Sequence, residues 1–152
     1  MSRSRQLLCT AYGAIAVLAL VGTWTQNVAY FRPDEGLLRG FAMATARFWP
    51  ATLATPASVS ITVDLALFLV AAAVLMVIEA RRLGIRWVWL YVVLGLLVAI
   101  SVTFPLFLIA RERRLAALGR PSDVIDLSGA DLAALVGLGG MTAAITAWTL
   151  GR

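Results

Sequence analysis

Histidine and lysine are both missing from this 152-residue chain, and cysteine occurs once, at Cys9. Without histidine the chain lacks the usual general base, the commonest metal ligand and the usual switch near neutral pH. A single cysteine excludes an intrachain disulfide, a Cys-x-x-Cys pair and a thiolate cluster for zinc or iron–sulfur. There is no Ser–His or Cys–His set, no phosphate loop and no dinucleotide fingerprint. Gly137-x-Gly139-Gly140 lies inside an apolar run, not after a strand, so it is not one. No metal site and no cofactor are expected.

What remains is apolar. The chain is 61% hydrophobic and only 14% charged, with a mean hydropathy of +0.90. A soluble domain of this size is about half apolar and a quarter charged. The excess exceeds what one small core can hide, which points to a membrane protein. The net charge of +5 comes from arginines at the ends of apolar runs, where membrane proteins place them, so nucleic acid is not an expected partner.

Four runs are long enough to cross about 30 Å of hydrocarbon: residues 7–25, 56–80, 86–111 and 131–150. Backbone groups in lipid must bond internally, so these runs are expected as helices in a single all-α membrane domain covering residues 1–152. The first run has a basic start like a signal peptide. It is longer than a typical apolar core of one and no small-residue cleavage pattern follows, so it is expected as a retained span. Thr55 before Pro56, and Ser128 three residues before Asp131, read as helix starts. The connector after the third run is expected to continue its helix briefly and break at Gly119–Pro121.

Between the first two spans, residues 36–49 have a helical pattern, with Leu37, Phe41, Ala44 and Phe48 on one face. A short helix in the headgroup region is expected; a loop helix packed on the bundle is the alternative. Trp24, Trp49, Trp87, Trp89 and Trp148 all fall near span ends, as in an aromatic belt. Gly139, Ala143 and Ala147 form a small-residue stripe, as do Gly95, Ala99 and Thr103. Such stripes let helices approach in lipid, although Gly and Ala are also simply common here. Four spans put both termini on one side. The short turn bearing Arg81, Arg82 and Arg86, with Asp34 and Glu35 in the long loop, favours cytoplasmic termini in an inner or plasma membrane, although the arginine count is nearly balanced.

Two charge features stand out. Asp64 falls about eight residues into the second span, roughly 12 Å along its axis. An acid at that depth needs a partner, a water-filled cavity or protonation; if the span starts later, it is an interfacial cap. Pro105 frees a carbonyl near Ser101 and is expected to kink the third span. In an antiparallel hairpin Ser101 and Thr103 would share Asp64's depth, which makes these three the candidate catalytic set. Glu79 lies about 22 Å further along the second helix, too far for a carboxylate dyad with Asp64. It is expected to pair with Arg82 and, across the turn, Arg86, pinning the elbow. Arg81, Arg82 and Arg86 holding a lipid head group is the functional rival.

From Asp64 to Leu115 the chain resembles a bacterial family of small multi-pass membrane proteins known only as a domain of unknown function, number 2834. The matching elements are Asp-Leu in the second span, Glu-x-Arg-Arg-Leu-Gly at the turn, and Pro-Leu-Phe-Leu followed by Arg-Glu. On this chain they are Asp64, Glu79, Arg81, Arg82, Gly84, Pro105, Phe107, Arg111 and Glu112. The resemblance implies three spans and no known activity, and the fourth span after Gly119 departs from it. The leading expectation is thus a structural, accessory or lipid-binding membrane component. Its partners would be membrane lipids, with a second copy or another membrane protein through the small-residue stripes. The rival is a small membrane enzyme on an isoprenoid or lipid, with Asp64 as intramembrane proton donor. A proton-linked transporter subunit is a third reading.

Overall fold

The computed structural model describes residues 3–120 and 128–151. The described elements are helical, and in chain order the α-helices are α1 (Arg3–Asn27), α2 (Leu37–Thr52), α3 (Pro56–Leu83), α4 (Val88–Leu94), α5 (Ile100–Ala117) and α6 (Gly129–Leu150). Four helical segments are long and apolar enough to cross a membrane: Arg3–Tyr30, Pro56–Leu83, Val88–Ala117 and Gly129–Leu150. The expected all-helical fold, with a short helix between the first two long ones, is present.

Local chemistry sets the ends. Thr55 caps α3: its hydroxyl accepts from the Ser58 amide, and the Ser58 hydroxyl accepts from the Thr55 amide, both at 3.1 Å. Pro56 follows, where its missing N–H costs nothing. Gly84 ends α3 in the left-handed conformation, with φ +67°. Ser128 and Asp131 form the reciprocal cap of α6. α5 ends at Ala117, and Gly119 follows at φ +67°; Pro121 lies outside the described residues.

The third apolar segment doubles back on itself. A one-turn π-helix, Gly95–Ala99, follows α4, and the extended backbone of Ala99 (φ −179°, ψ 137°) then starts α5 in the opposite direction. Tyr91 and Phe107 would stand about 24 Å apart on a straight helix, but their rings meet edge to face with centroids 5.7 Å apart. Gly95 is where the arms come closest: an added Cβ would lie 2.9 Å from Thr103 Oγ1 and 3.2 Å from Ile100 Cδ1. The expected stripe Gly95–Ala99–Thr103 thus faces itself across the reversal. The expected kink near Ser101 is a full turn-round at Ala99 instead, and Pro105 is buried within α5.

This hairpin is the centre of the molecule. A third of its apolar window is buried, against none in α6. The core is Ala72, Met76 and Ala80 of α3 packed on Val88, Ile100 and Phe107, with Met76 and Phe107 fully enclosed. α3 and α5 run parallel: Phe68 meets Phe104 at 6.2 Å, and the Leu83 carbonyl accepts from Arg114 Nε at 2.8 Å. α1 runs antiparallel to α5, with Arg5 beside Glu112 and Trp24 Nε1 donating to the Val98 carbonyl at 3.2 Å. This last bond satisfies a carbonyl near the reversal.

α6 packs on α1 where Gly22 meets Thr146; a Cβ on Gly22 would lie 2.9 Å from Thr146 Cγ2. Seventeen residues separate Gly22 from Arg5 and Thr146 from Gly129, about 26 Å in each case. Arg120, whose carbonyl accepts from Arg5 at 2.8 Å, leaves nine residues to reach Gly129, at most about 32 Å. That reach allows α6 to run parallel to α1 and forbids the reverse. No α6 residue is buried, and Gly137, Gly139 and Gly140 face open space.

Candidate functional site

Because α5 returns beside α3, the charged ends of α1, α3 and α5 converge on one face. There they build a continuous chain of ion pairs. Arg5 Nε meets Glu112 Oε2 at 3.1 Å, and Arg111 Nη1 meets Glu112 Oε1 at 3.0 Å. Arg111 Nε also meets Glu79 Oε2 at 2.8 Å, and Arg82 Nε meets Glu79 Oε1 at 3.1 Å. Glu112 is 1% exposed, and Arg5 and Glu79 are nearly as enclosed. A carboxylate this enclosed is tolerable because both oxygens are paired with guanidinium donors. Arg82 is half exposed, so its pair with Glu79 adds little.

The expected partners of Glu79 are therefore half right. Arg82 is present, but Arg86 is not; Arg111 from α5 takes its place. An antiparallel third span would have carried Arg111 to the opposite end of the bundle, so nothing in a straight-span reading brings it to Glu79. Arg5 was missed altogether. The signal available was Glu112 alone among arginines at the end of an apolar run, an acid that required cations from elsewhere.

Two clefts open on this face. One, of about 240 Å³, lies between α3 and α5 and is lined by Leu75, Glu79, Arg82, Phe107, Leu108 and Arg111. The other is an open groove of about 570 Å³ between the α3–α4 turn and the end of α5. Arg86, Arg113 and Arg114 line it, with Gly84, Ile85, Ala110 and Ala117. Arg81 is exposed on the same face.

Asp64 stands elsewhere. It lies one helical turn before Phe68, toward the reversal end of the bundle, and is exposed without a hydrogen-bond or ion-pair partner among the described residues. Ser101 is exposed, whereas Thr103 is buried under Gly95, with its hydroxyl 3.5 Å from the Ala99 carbonyl. Neither cleft is lined by any of the three. Among the described residues no group of three or more His, Cys, Asp or Glu is placed to hold a metal.

At the opposite end, Arg47 of α2 reaches back to Glu35, bonding Oε2 at 3.0 Å and also contacting Oε1, and donates to the Tyr30 carbonyl at 3.0 Å. The Arg47 hydrogen bond holds the Glu35 carboxyl below its ordinary range. This pair ties α2 to the loop before it.

Helices throughout the described elements, four of the segments long and apolar enough to cross a membrane, mark a multi-pass membrane protein. Residues 11–113 match the family described as protein of unknown function DUF2834, and the chain belongs to that family. The matched region contains α3, the reversal and most of α5, with Glu79, Arg111 and Glu112, and stops four residues before the end of α5. Comparisons with curated proteins and with solved structures find no match.

Proposed function

We propose that the protein is a structural or accessory component of a cell's inner or plasma membrane, binding anionic lipid at a cytoplasmic face built from the ends of α1, α3 and α5. The observation that carries this reading is the arginine distribution once the hairpin is folded. Arg3 and Arg5, then Arg81, Arg82 and Arg86, then Arg111, Arg113, Arg114 and Arg120 gather at one end: nine in all. Among the described residues, Arg32, Arg39 and Arg47 are the three at the other. Positive charge in short connections marks the cytoplasmic side, so the near balance of straight spans becomes a strong bias.

In this reading α4 and α5 enter and leave by the cytoplasmic face, and α1, α3 and α6 cross. Residues 28–55 and the end of α6 are then extracytoplasmic, so this reading departs from the four-span expectation of both termini inside. The buried ion pairs hold the hairpin against α1 and α3, and the remaining arginines meet the negative leaflet, where each is worth about 1 kcal/mol.

The test is single-cysteine labelling in a Cys9→Ala background. With an impermeant reagent on intact cells, Asp34→Cys and Gly151→Cys are modified, while Arg86→Cys and Ala117→Cys require permeabilisation. Modification of Arg86→Cys on intact cells overturns the orientation. Protection of Gly151→Cys together with Arg86→Cys overturns the re-entrant hairpin.

A further inference from the structure

We infer that the groove between the α3–α4 turn and the end of α5 is a specific site for the phosphate of an anionic phospholipid. This deepens the lipid-binding reading above and rests on it. Six arginines of this face fall into two groups. Arg5, Arg82 and Arg111 are spent on Glu112 and Glu79. Arg86, Arg113 and Arg114 line one groove of about 570 Å³ that no carboxylate lines.

Arg86 and Arg113 are exposed and have no hydrogen-bond or ion-pair partner among the described residues. Arg114 is fixed by its Nε bond to the Leu83 carbonyl. That leaves its terminal nitrogens beside Gly84, with Nη2 3.5 Å from where a Cβ would stand. Three exposed guanidinium groups lining one groove without an acid make a basic surface that favours an anion, and phosphate oxygens fit the planar donor fork.

The walls identify the anion's source. Ile85, Ala110 and Ala117 give the groove an apolar side, which suits glycerol and acyl carbons and not a free ion. Trp87, 76% exposed, directly follows Arg86 of the groove, and Trp89, 59% exposed, comes two residues later. Exposed tryptophans at helix ends mark headgroup level. Trp87 is also the one non-glycine residue with positive φ, 63°, among the described residues. A bulky residue held there is a conformation that surrounding structure must impose, and such positions gather at binding sites.

The experiment is native mass spectrometry of the full chain in detergent, titrated with phosphatidylglycerol or phosphatidylcholine. Expected is selective retention of phosphatidylglycerol, weakened roughly thirty-fold in Arg86→Gln/Arg113→Gln. Arg39→Gln/Arg32→Gln, with the same charge loss at the other end, retains the lipid. Equal weakening in both pairs, or none in the first, overturns the site. So does displacement of the lipid by inorganic phosphate that itself binds the lipid-free protein, which would make it a free-anion site. Each variant's melting temperature is expected to match the parent; should the glutamine pair melt lower, Arg86→Glu alone must abolish retention with parental melting, or the proposal fails. Retention in detergent does not depend on orientation, so this result and the labelling result fail independently.

Discussion

Arg5 and Glu112, 107 residues apart in sequence, meet at 3.1 Å in a nearly solvent-free contact. The contact joins the first turns of α1 to the last turns of α5. Glu112→Gln removes the charge that Arg5 and Arg111 share and leaves Arg5 enclosed without its carboxylate. The expected loss is about 3–5 kcal/mol, read by reversible unfolding in mixed micelles. Arg5→Met combined with Glu112→Leu is expected to recover most of it, because an apolar pair of similar volume spares both desolvation penalties. A double variant as unstable as the single one would mean that the pair does more than neutralise itself.

Gly95 is where the hairpin arms approach most closely. Gly95→Ala drives a Cβ into the short, buried Thr103 side chain, which has little room to retreat. Overpacking of this kind costs about 1–3 kcal/mol. Gly95→Ala with Thr103→Ala opens the space again, and thermal melting is expected to return toward the parent. Failure of that rescue would show that Gly95 is needed for its backbone and not for its missing side chain.

Trp24 ties α1 to the reversal through the Val98 carbonyl. Trp24→Phe keeps an aromatic ring and removes the donor. The expected cost is about 0.5–1.5 kcal/mol, with hydrogen exchange accelerated more at residues 95–100 than along the rest of α5. Uniform acceleration along the whole bundle would indicate a packing defect instead.

Glu35 has its carboxyl held below the ordinary range by Arg47. A folded-state depression stabilises at pH above the unfolded value, about 4.3 for Glu. That contribution fades as pH falls through the lower folded value. Protection of α2 amides, relative to their intrinsic exchange rate at each pH, is therefore expected to be flat from neutrality to about pH 5 and to fall on further acidification. Arg47→Gln is expected to raise exchange at neutral pH and to flatten the acid response. An unchanged acid response in that variant would place the titrating group elsewhere.

The apolar segments were legible because hydropathy is a local property: twenty apolar residues announce themselves whatever surrounds them. The caps at Thr55 and Ser128 were legible for the same reason, since a side chain and an amide three residues on suffice. The reversal at Ala99 was not. Val93 to Val102 holds no charge and no proline, and its lone Gly95 read as one member of a packing stripe. The turn-round is imposed by tertiary packing of Phe107 and Thr103 on the preceding arm. From that one miss the misplacement of Arg111 followed, and with it the near balance of arginines. Asp64, Ser101 and Thr103 still lie at similar depth, since Phe68 meets Phe104, but Asp64 and Ser101 are exposed, Thr103 is buried against Gly95, and none of the three lines a cleft.

The closeness of Tyr91 to Phe107 carries a consequence for biogenesis. As the chain emerges from the ribosome, residues 88–117 present thirty largely apolar residues that a translocation channel reads as one crossing. Beyond its own arm-to-arm packing, the doubled form leans on α1: its tip on Trp24 and its base on Arg5, both made long before. On the proposed topology, maturation is thus a late event in which a segment handed over as a stop settles back toward the side it came from, using a beginning that is already in place.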